Sequence, residues 1–213
     1  MSAAAEGTRA VFVVDDDHAV RDAIGLLLGL RGYAPRVFAS GSEFLAAIDG
    51  DARGCILLDL RMPELDGLQV QAELGRRGIN LPLIMLTAHG DVAAARAALK
   101  AGAFDFLEKP IDDALLMTTL DAALAQDRAA GRRAEQQSAM RARLARLTPR
   151  EMEVLQRVVH GRHNREIASE LGISPRTVEA YKARIMDKLQ ADRLADLIRI
   201  ALDFGVPAAP DAS

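Results

Sequence analysis

Three carboxylates follow directly on an apolar run near the start of the chain, in Val13-Val14-Asp15-Asp16-Asp17-His18. Adjacent like charges repel, so a metal ion, a helix N-terminus or plain solvent has to accommodate them. Three later apolar runs also end on residues that can do chemistry. Residues 55–58 are followed by Asp59, residues 83–86 by Thr87, and residues 104–107 by Glu108 and Lys109. If these runs are neighbouring strands, Asp15, Asp16, Asp59, Thr87 and Lys109 meet at one sheet edge. Clustered carboxylates need a cation, and hard oxygen ligands suit Mg2+. An ionised aspartate beside Mg2+ and a lysine can attack a phosphoryl group and become an aspartyl phosphate. Such a transfer is mostly positioning and charge neutralisation. The cation would serve one phosphoryl oxygen, the Lys109 ammonium a second and the Thr87 hydroxyl a third.

The elements that must bring these residues together are visible between residues 11 and 110. Short β-branched or apolar runs at 11–14, 55–58, 83–86 and 104–107, with a weaker one at 35–38, alternate with segments of helical spacing. The segment 19–30 carries Val20, Ile24, Leu27 and Leu28, and 42–48, 67–74 and 92–101 are similar. This alternation predicts βα units around a parallel sheet. The runs are almost wholly apolar, as strands covered on both faces should be. Five units fit residues 8–124, giving an α/β, doubly wound, five-stranded parallel sheet. In open sheets of this kind function sits at the carboxyl ends of the strands, where the five residues fall. Asp17 is placed to cap the helix that begins near His18.

Bulk properties allow one or two domains in 213 residues, each able to bury a core. The net charge of −3 points to no polyanion partner, but it is unevenly spread. Residues 1–124 carry 11 Lys/Arg and 18 Asp/Glu, residues 125–147 carry 6 and 2, and residues 148–213 carry 10 and 10. An acidic first half and a basic joint suggest two modules with different partners. The one cysteine, Cys55, lies in an apolar run, which excludes a disulfide framework and fits a buried thiol in a reducing cytosol. The first ten residues lack an apolar signal core, and no apolar run reaches the length of a membrane span. A cytoplasmic protein is expected.

The apolar stripe of the last unit continues through Leu115, Leu116, Leu120 and Leu124 and then stops. Residues 125–147 are rich in Ala, Arg, Gln and Glu, with high helix propensity and almost nothing to bury. An exposed connecting helix and a disordered linker both fit, and Gly131 weakens the helix. A second domain, 148–206, opens on a capping box, Thr148-Pro149-Arg150-Glu151, with Leu147 and Met152 placed as a hydrophobic staple. Four helices are predicted, at about 149–160, 164–171, 175–190 and 192–203, before a disordered tail at 207–213.

Within it, Ala168, Gly172 and Val178 stand at offsets of 0, 4 and 10, as a helix-turn-helix requires: a small residue where helices cross, glycine in the turn, an apolar residue on the second helix. Ser174 caps that helix and Pro175 starts it. At 100° per residue Val178, Ile185 and Leu189 share one face, and Arg176, Glu179, Ala180, Ala183, Arg184 and Asp187 the opposite one. A helix with small residues and a few polar ones can enter a major groove. Arg176, Lys182, Arg184 and Lys188, with the backbone amides around Asn164 and Thr177, are placed to meet phosphates. A small helical bundle with a merely solvated charged face is the simpler alternative.

The set Asp15-Asp16, Asp59 within DLRMPELDG, Thr87-Ala88 and Lys109-Pro110, at these spacings, closely resembles the receiver domain of two-component response regulators, a flavodoxin-like fold. LTPREMEVLQRVVHGRHNREIASELGISPRTVEAYKARIMDKL resembles the LuxR-type helix-turn-helix domain. The pair together resembles the NarL/FixJ family of transcriptional regulators. The resemblance implies that Asp59 is the phosphoacceptor. Asp16 and Asp59 would bind Mg2+ directly with the backbone carbonyl of Arg61, and Asp15 mostly through a water. Lys109 would bind the phosphoryl group, next to a cis peptide before Pro110. Thr87 and Phe106, the latter expected in the core, would move together on phosphorylation, and Arg61 and His89 would tune phosphoryl lifetime. Glu179, Ala180 and Ala183 would face bases, where other members have Lys or Asn. The implied partners are a sensor histidine kinase, promoter DNA, RNA polymerase and a second copy of the phosphorylated chain, paired through about 92–106. No enzyme and no membrane partner is implied. A phosphoaspartate hydrolase is disfavoured because Arg61 stands where a second acid would act. The complete acid, threonine and lysine set disfavours a constitutive DNA-binding protein with an inert receiver.

Overall fold

The computed structural model describes residues 10–87 and 92–207, and the chain falls into two compact units that divide after Arg132. His89 and residues 208–213 of the expected disordered tail lie outside the described residues. In the first unit, β1 (Ala10–Val14), β2 (Ala34–Phe38), β3 (Cys55–Asp59), β4 (Leu83–Thr87) and β5 (Asp105–Glu108) form a parallel sheet in the order β2-β1-β3-β4-β5. The connecting helices are α1 (His18–Leu30), α2 (Gly41–Ala47), α3 (Gly67–Arg76) and α4 (Val92–Lys100), and α5 (Asp113–Leu144) follows β5.

Alternation along the strands decides the two cores. Val11, Val13, Cys55, Leu57, Ile84, Leu86 and Leu107 face α1 and α5, against Ile24, Leu28, Leu116 and Leu120. Phe12, Val14, Ile56, Leu58 and Met85 face the other side, with Phe44, Val70, Leu74 and Ala98. Phe106 pairs with Met85 in register and lies on this second side, but it is exposed rather than in the core. β5 is an edge strand, and among the described side chains of the nearby α4 only small ones, Ala95 and Ala98, are buried. Because β1 pairs with both β2 and β3, the strand order reverses beside it, and the loops after β1 and β3 open a crevice between them. The start of α3 packs tightly under that crevice. An ideal Cβ at Gly67 would stand 2.6 Å from the Asp59 carbonyl oxygen and 2.8 Å from the Met85 sulfur, so this approach needs glycine.

Helix α5 runs unbroken through Gly131 to Leu144, so the joint is helical. Its early part is less free than composition suggests. Asp127 is buried, and its Oδ2 accepts the Gly54 N–H at 3.1 Å. Its backbone carbonyl accepts from Arg53 Nη2 at 2.6 Å, and that nitrogen lies 3.4 Å from Oδ1. The Arg53 guanidinium occupies the space a Cβ at Gly131 would take. Burial, and secondarily the Asp127 charge, push the Cys55 thiol far above its ordinary range, as an inert core thiol requires.

The second unit contains α6 (Pro149–Val159), α7 (Asn164–Leu171), α8 (Pro175–Leu189) and α9 (Leu194–Asp203). Val154, Leu155, Val158, Ile167, Ala168, Val178, Ile185, Leu189, Leu197 and Ala201 form its core, with Met140 and Leu144 from the end of α5 packed against it. Thr148 and Glu151 form the capping box, and Gly172 ends α7 at φ 64°, the left-handed turn the motif needs. Among the described residues no helix is long and apolar enough to cross a membrane.

Asp127→Ala should lower the unfolding free energy of the first unit by about 1–3 kcal/mol, because it strands the Gly54 N–H in the interior. Urea denaturation followed by circular dichroism measures it.

Candidate functional site

The strand ends bring the sequence-predicted residues together. Asp59 is the last residue of β3, Thr87 the last of β4, and Asp15 follows β1. Lys109 follows β5, its N–H bonded to the Thr87 carbonyl at 2.8 Å and its peptide to Pro110 cis. The Lys109 ammonium lies 2.7 Å from Asp15 Oδ2 and 2.8 Å from Asp59 Oδ1. Asp15 and Thr87 are fully buried, Asp59 is 5% exposed, and Asp16 is open to solvent. Ligand oxygens of Asp15, Asp16 and Asp59 all lie within 4.8 Å of one another, a group that can hold a metal ion. Three carboxylates against one ammonium leave two negative charges uncompensated among these four side chains.

The three aspartates of the opening stretch have separate jobs. Asp15 Oδ1 accepts the Asp17 N–H at 2.9 Å, which orients the buried carboxylate. Asp16 reaches the crevice. Asp17 caps α1, accepting the N–H groups of Ala19 at 2.8 Å and Val20 at 3.4 Å. Arg21 donates to the Asp15 carbonyl at 2.7 Å, a contact that sequence reading missed, although Arg21 lies one turn into α1. The Arg61 N–H donates to Asp59 Oδ2 at 3.2 Å. Burial pushes the Asp59 carboxyl above its ordinary range; Lys109 opposes the shift, while Asp15 and Asp16 add to it. Burial acts against the Lys109 charge, but bonds to Asp15 and Asp59 outweigh it and hold the ammonium above its ordinary range.

A second candidate surface lies on α8. Arg176, Glu179, Ala180, Ala183, Arg184 and Asp187 are all exposed, opposite the buried Val178, Ile185 and Leu189. Thr177 sits in the first turn, its N–H bonded to Ser174 Oγ at 3.1 Å. Lys182 donates to Asn164 Oδ1 at 3.1 Å, and Asn164 Nδ2 stands 3.5 Å from Glu179 Oε1. The Arg184 guanidinium lies over the Tyr181 ring, 5.8 Å from its centre.

Lys188 departs from the expected phosphate-facing set. Its ammonium is 2.6 Å from the buried Glu151 carboxylate and 3.3 Å from the Arg146 carbonyl. Counted from Val178, Lys188 stands about 80° from the core side of α8, within reach of the start of α6. The same Glu151 oxygen accepts the Thr148 N–H at 2.7 Å. Burial works against the Glu151 charge, but the Lys188 ammonium and the Thr148 donors outweigh it and hold the carboxyl below the ordinary glutamate range.

Residues 11–121 match the family described as response regulator receiver domain, and residues 145–201 that described as bacterial regulatory proteins, luxR family. The chain is 45% identical over 203 residues to the transcriptional regulatory protein FixJ of Azorhizobium caulinodans, covering 95% of this chain and 96% of that one. It is 42% identical to the transcriptional regulatory protein TdiR of Thauera aromatica, covering 90% and 85%. Among solved structures it is similar to the response regulator StyR, with a TM-score of 0.83 at 35% identity over 92% of this chain and 100% of that one. Full-length FixJ from B. japonicum gives a TM-score of 0.58 at 38% identity, over 93% and 98%.

Two outcomes follow from these contacts. Asp17→Ala should lower stability by about 1 kcal/mol, the ordinary cost of a lost N-cap. The Glu151 carboxyl titrates lower folded than unfolded, so its contribution is present above the ordinary glutamate value of 4.5 and fades as pH falls through the folded value. Denaturation of the second unit from neutral to acid pH should therefore show a flatter acid dependence for Glu151→Gln than for the natural chain.

Proposed function

The chain belongs to the NarL/FixJ family of response regulators, in its FixJ branch, and we propose that phosphorylation of Asp59 switches it. It is a transcriptional regulator with a receiver domain and a LuxR-type DNA-binding domain, not an enzyme. A receiver implies a histidine kinase as partner, and the LuxR-type domain implies DNA. The observation that carries the Asp59 proposal is the Lys109 ammonium set between Asp15 and Asp59, with Asp16 alongside.

An oxygen of Asp59 attacks the phosphorus of a phosphohistidine. The O–P bond forms as the P–N bond breaks, and the imidazole leaves with that electron pair and takes up a proton. Lys109 then meets one phosphoryl oxygen and Thr87 donates to another. Asp16, Asp59 and the Arg61 carbonyl would hold Mg2+, with Asp15 acting through a water. The ligand oxygens of Asp15, Asp16 and Asp59 lie within 4.8 Å of one another, near enough for a shared cation. When bound, the ion neutralises phosphoryl charge.

Phosphorylation shifts the receiver between two populations. Phe106, exposed on β5, moves together with Thr87 as Thr87 engages the phosphoryl group. The active form pairs two copies through about 92–106, and paired α8 helices bind a two-fold promoter site and act on RNA polymerase, in the cytoplasm. Glu179, Ala180 and Ala183 face bases, while Arg176, Lys182, Arg184 and the amides near Asn164 and Thr177 meet phosphates. Lys188 is left out of this set. The receiver function lies within 8–124 and the DNA-binding function within 148–206, joined through 125–147.

Beryllofluoride with Mg2+ should raise the mass in solution to that of a dimer and tighten binding to promoter-length DNA, and Asp59→Asn should show neither change. If the natural chain responds in neither property, the switch reading fails. Asp16→Ala should abolish Mg2+-dependent phosphorylation by a small acyl phosphate, while Asp17→Ala should be phosphorylated at the natural rate, as phosphoprotein gels would record.

A further inference from the structure

We propose that Glu179 reads the amino group of one cytosine per half-site, and that Asn164 and Lys182 aim its carboxylate. The inference rests on the proposed entry of α8 into the major groove and adds which base is read and how.

Glu179 is exposed on α8 beside the exposed small residues Ala180 and Ala183, which let the helix approach closely. A carboxylate facing DNA is repelled by phosphates, so it needs a donor to meet. The major groove offers two, cytosine N4 and adenine N6. Adenine also carries the acceptor N7 beside N6, which would face carboxylate lone pairs. Cytosine carries only a C–H beside N4, so cytosine is the better partner.

Asn164 and Lys182 stand behind Glu179. Lys182 can only donate, so the Asn164 oxygen must face it, at 3.1 Å. The Asn164 amino group is thereby turned toward Glu179 Oε1, at the longer distance of 3.5 Å. Among the described residues no other group bonds to Glu179, and the second oxygen is left for a base. Lys182, one turn along, also offsets the carboxylate charge against nearby phosphates. Asn164 and Lys182 are thus positioning residues.

The test is selection from a random duplex pool by the full chain with beryllofluoride and Mg2+. The natural chain should enrich a half-site with one C·G pair favoured roughly tenfold over other pairs at that position. Glu179→Gln should move the preference there to A·T, because an amide suits adenine N6 and N7. Glu179→Ala should lose preference at that position alone. Asn164→Ala should weaken it severalfold while other positions keep theirs. All three substitutions lie on exposed or half-buried sites, and unchanged thermal midpoints would exclude misfolding. If the natural chain enriches a site and the Glu179 variants select the same sequence at every position, the proposal is overturned while DNA binding stands. If the natural chain enriches nothing, the DNA-binding reading falls and the proposal with it.

Discussion

One ammonium group holds the first unit's site in place. Asp15 and Asp59 come from neighbouring strands, both are nearly out of solvent, and each would be costly alone. Lys109, which follows β5, reaches both although β4, ending at Thr87, lies between β5 and β3. The arrangement constrains three things at once. β1 and β3 must be adjacent, β5 must lie two strands from β3, and the residue between must be small enough for the lysine stem to pass. The observed strand order satisfies the first two, and Thr87 ends the strand between. What remains is an excess of negative charge open to solvent through Asp16, on the side from which a cation and a phosphoryl group would arrive.

The same device recurs wherever an acid is buried. Asp127 is met by Arg53 and a backbone N–H, and Glu151 by Lys188 and the Thr148 N–H. Buried ion pairs are weak evidence for stability, since desolvation offsets most of the attraction, but removing one partner is costly. Their use here is to fix which segments meet. Lys109 and Asp15 are 94 residues apart, Arg53 and Asp127 74, and Lys188 and Glu151 37. Each pair ties a distant segment to its neighbour: the end of β5, the early joint helix, and the far end of α8.

These pairings also mark where sequence reading stops. The strands and their chemistry-bearing ends are legible because a period of two with both faces apolar is a local signal, and the caps at Asp17, Thr148 and Ser174 are legible because a cap spans three residues. The partner of Asp127 lies in another βα unit, and nothing in a polar, arginine-rich stretch distinguishes the one buried acid. Lys188 sits between the two faces of α8, where a long stem can swing either way. Phe106 has the residue type of a core position, but its burial depends on the bulk of α4, which is alanine-rich. The glycine at 131 likewise answers a distant residue, since the Arg53 guanidinium occupies the space its side chain would take.

The charge of the second unit suits the proposed control through pairing. Residues 148–213 carry equal numbers of cations and acids, and several pairs cancel within the unit, Arg157 with Glu170 and Arg199 with Asp196 among them. The α8 face presents Arg176, Lys182 and Arg184 against Glu179 and Asp187, so one copy can neutralise few phosphates. Because phosphate contacts supply most sequence-independent affinity, a single module of this kind binds DNA weakly and with a shallow salt dependence. Joining two modules makes the second contact effectively intramolecular, with gains that can reach about a hundredfold or more without any new contact. A strongly basic module would occupy DNA whether or not its receiver had paired. A nearly neutral one would leave the affinity to be set by pairing, the step proposed above to follow phosphorylation of Asp59.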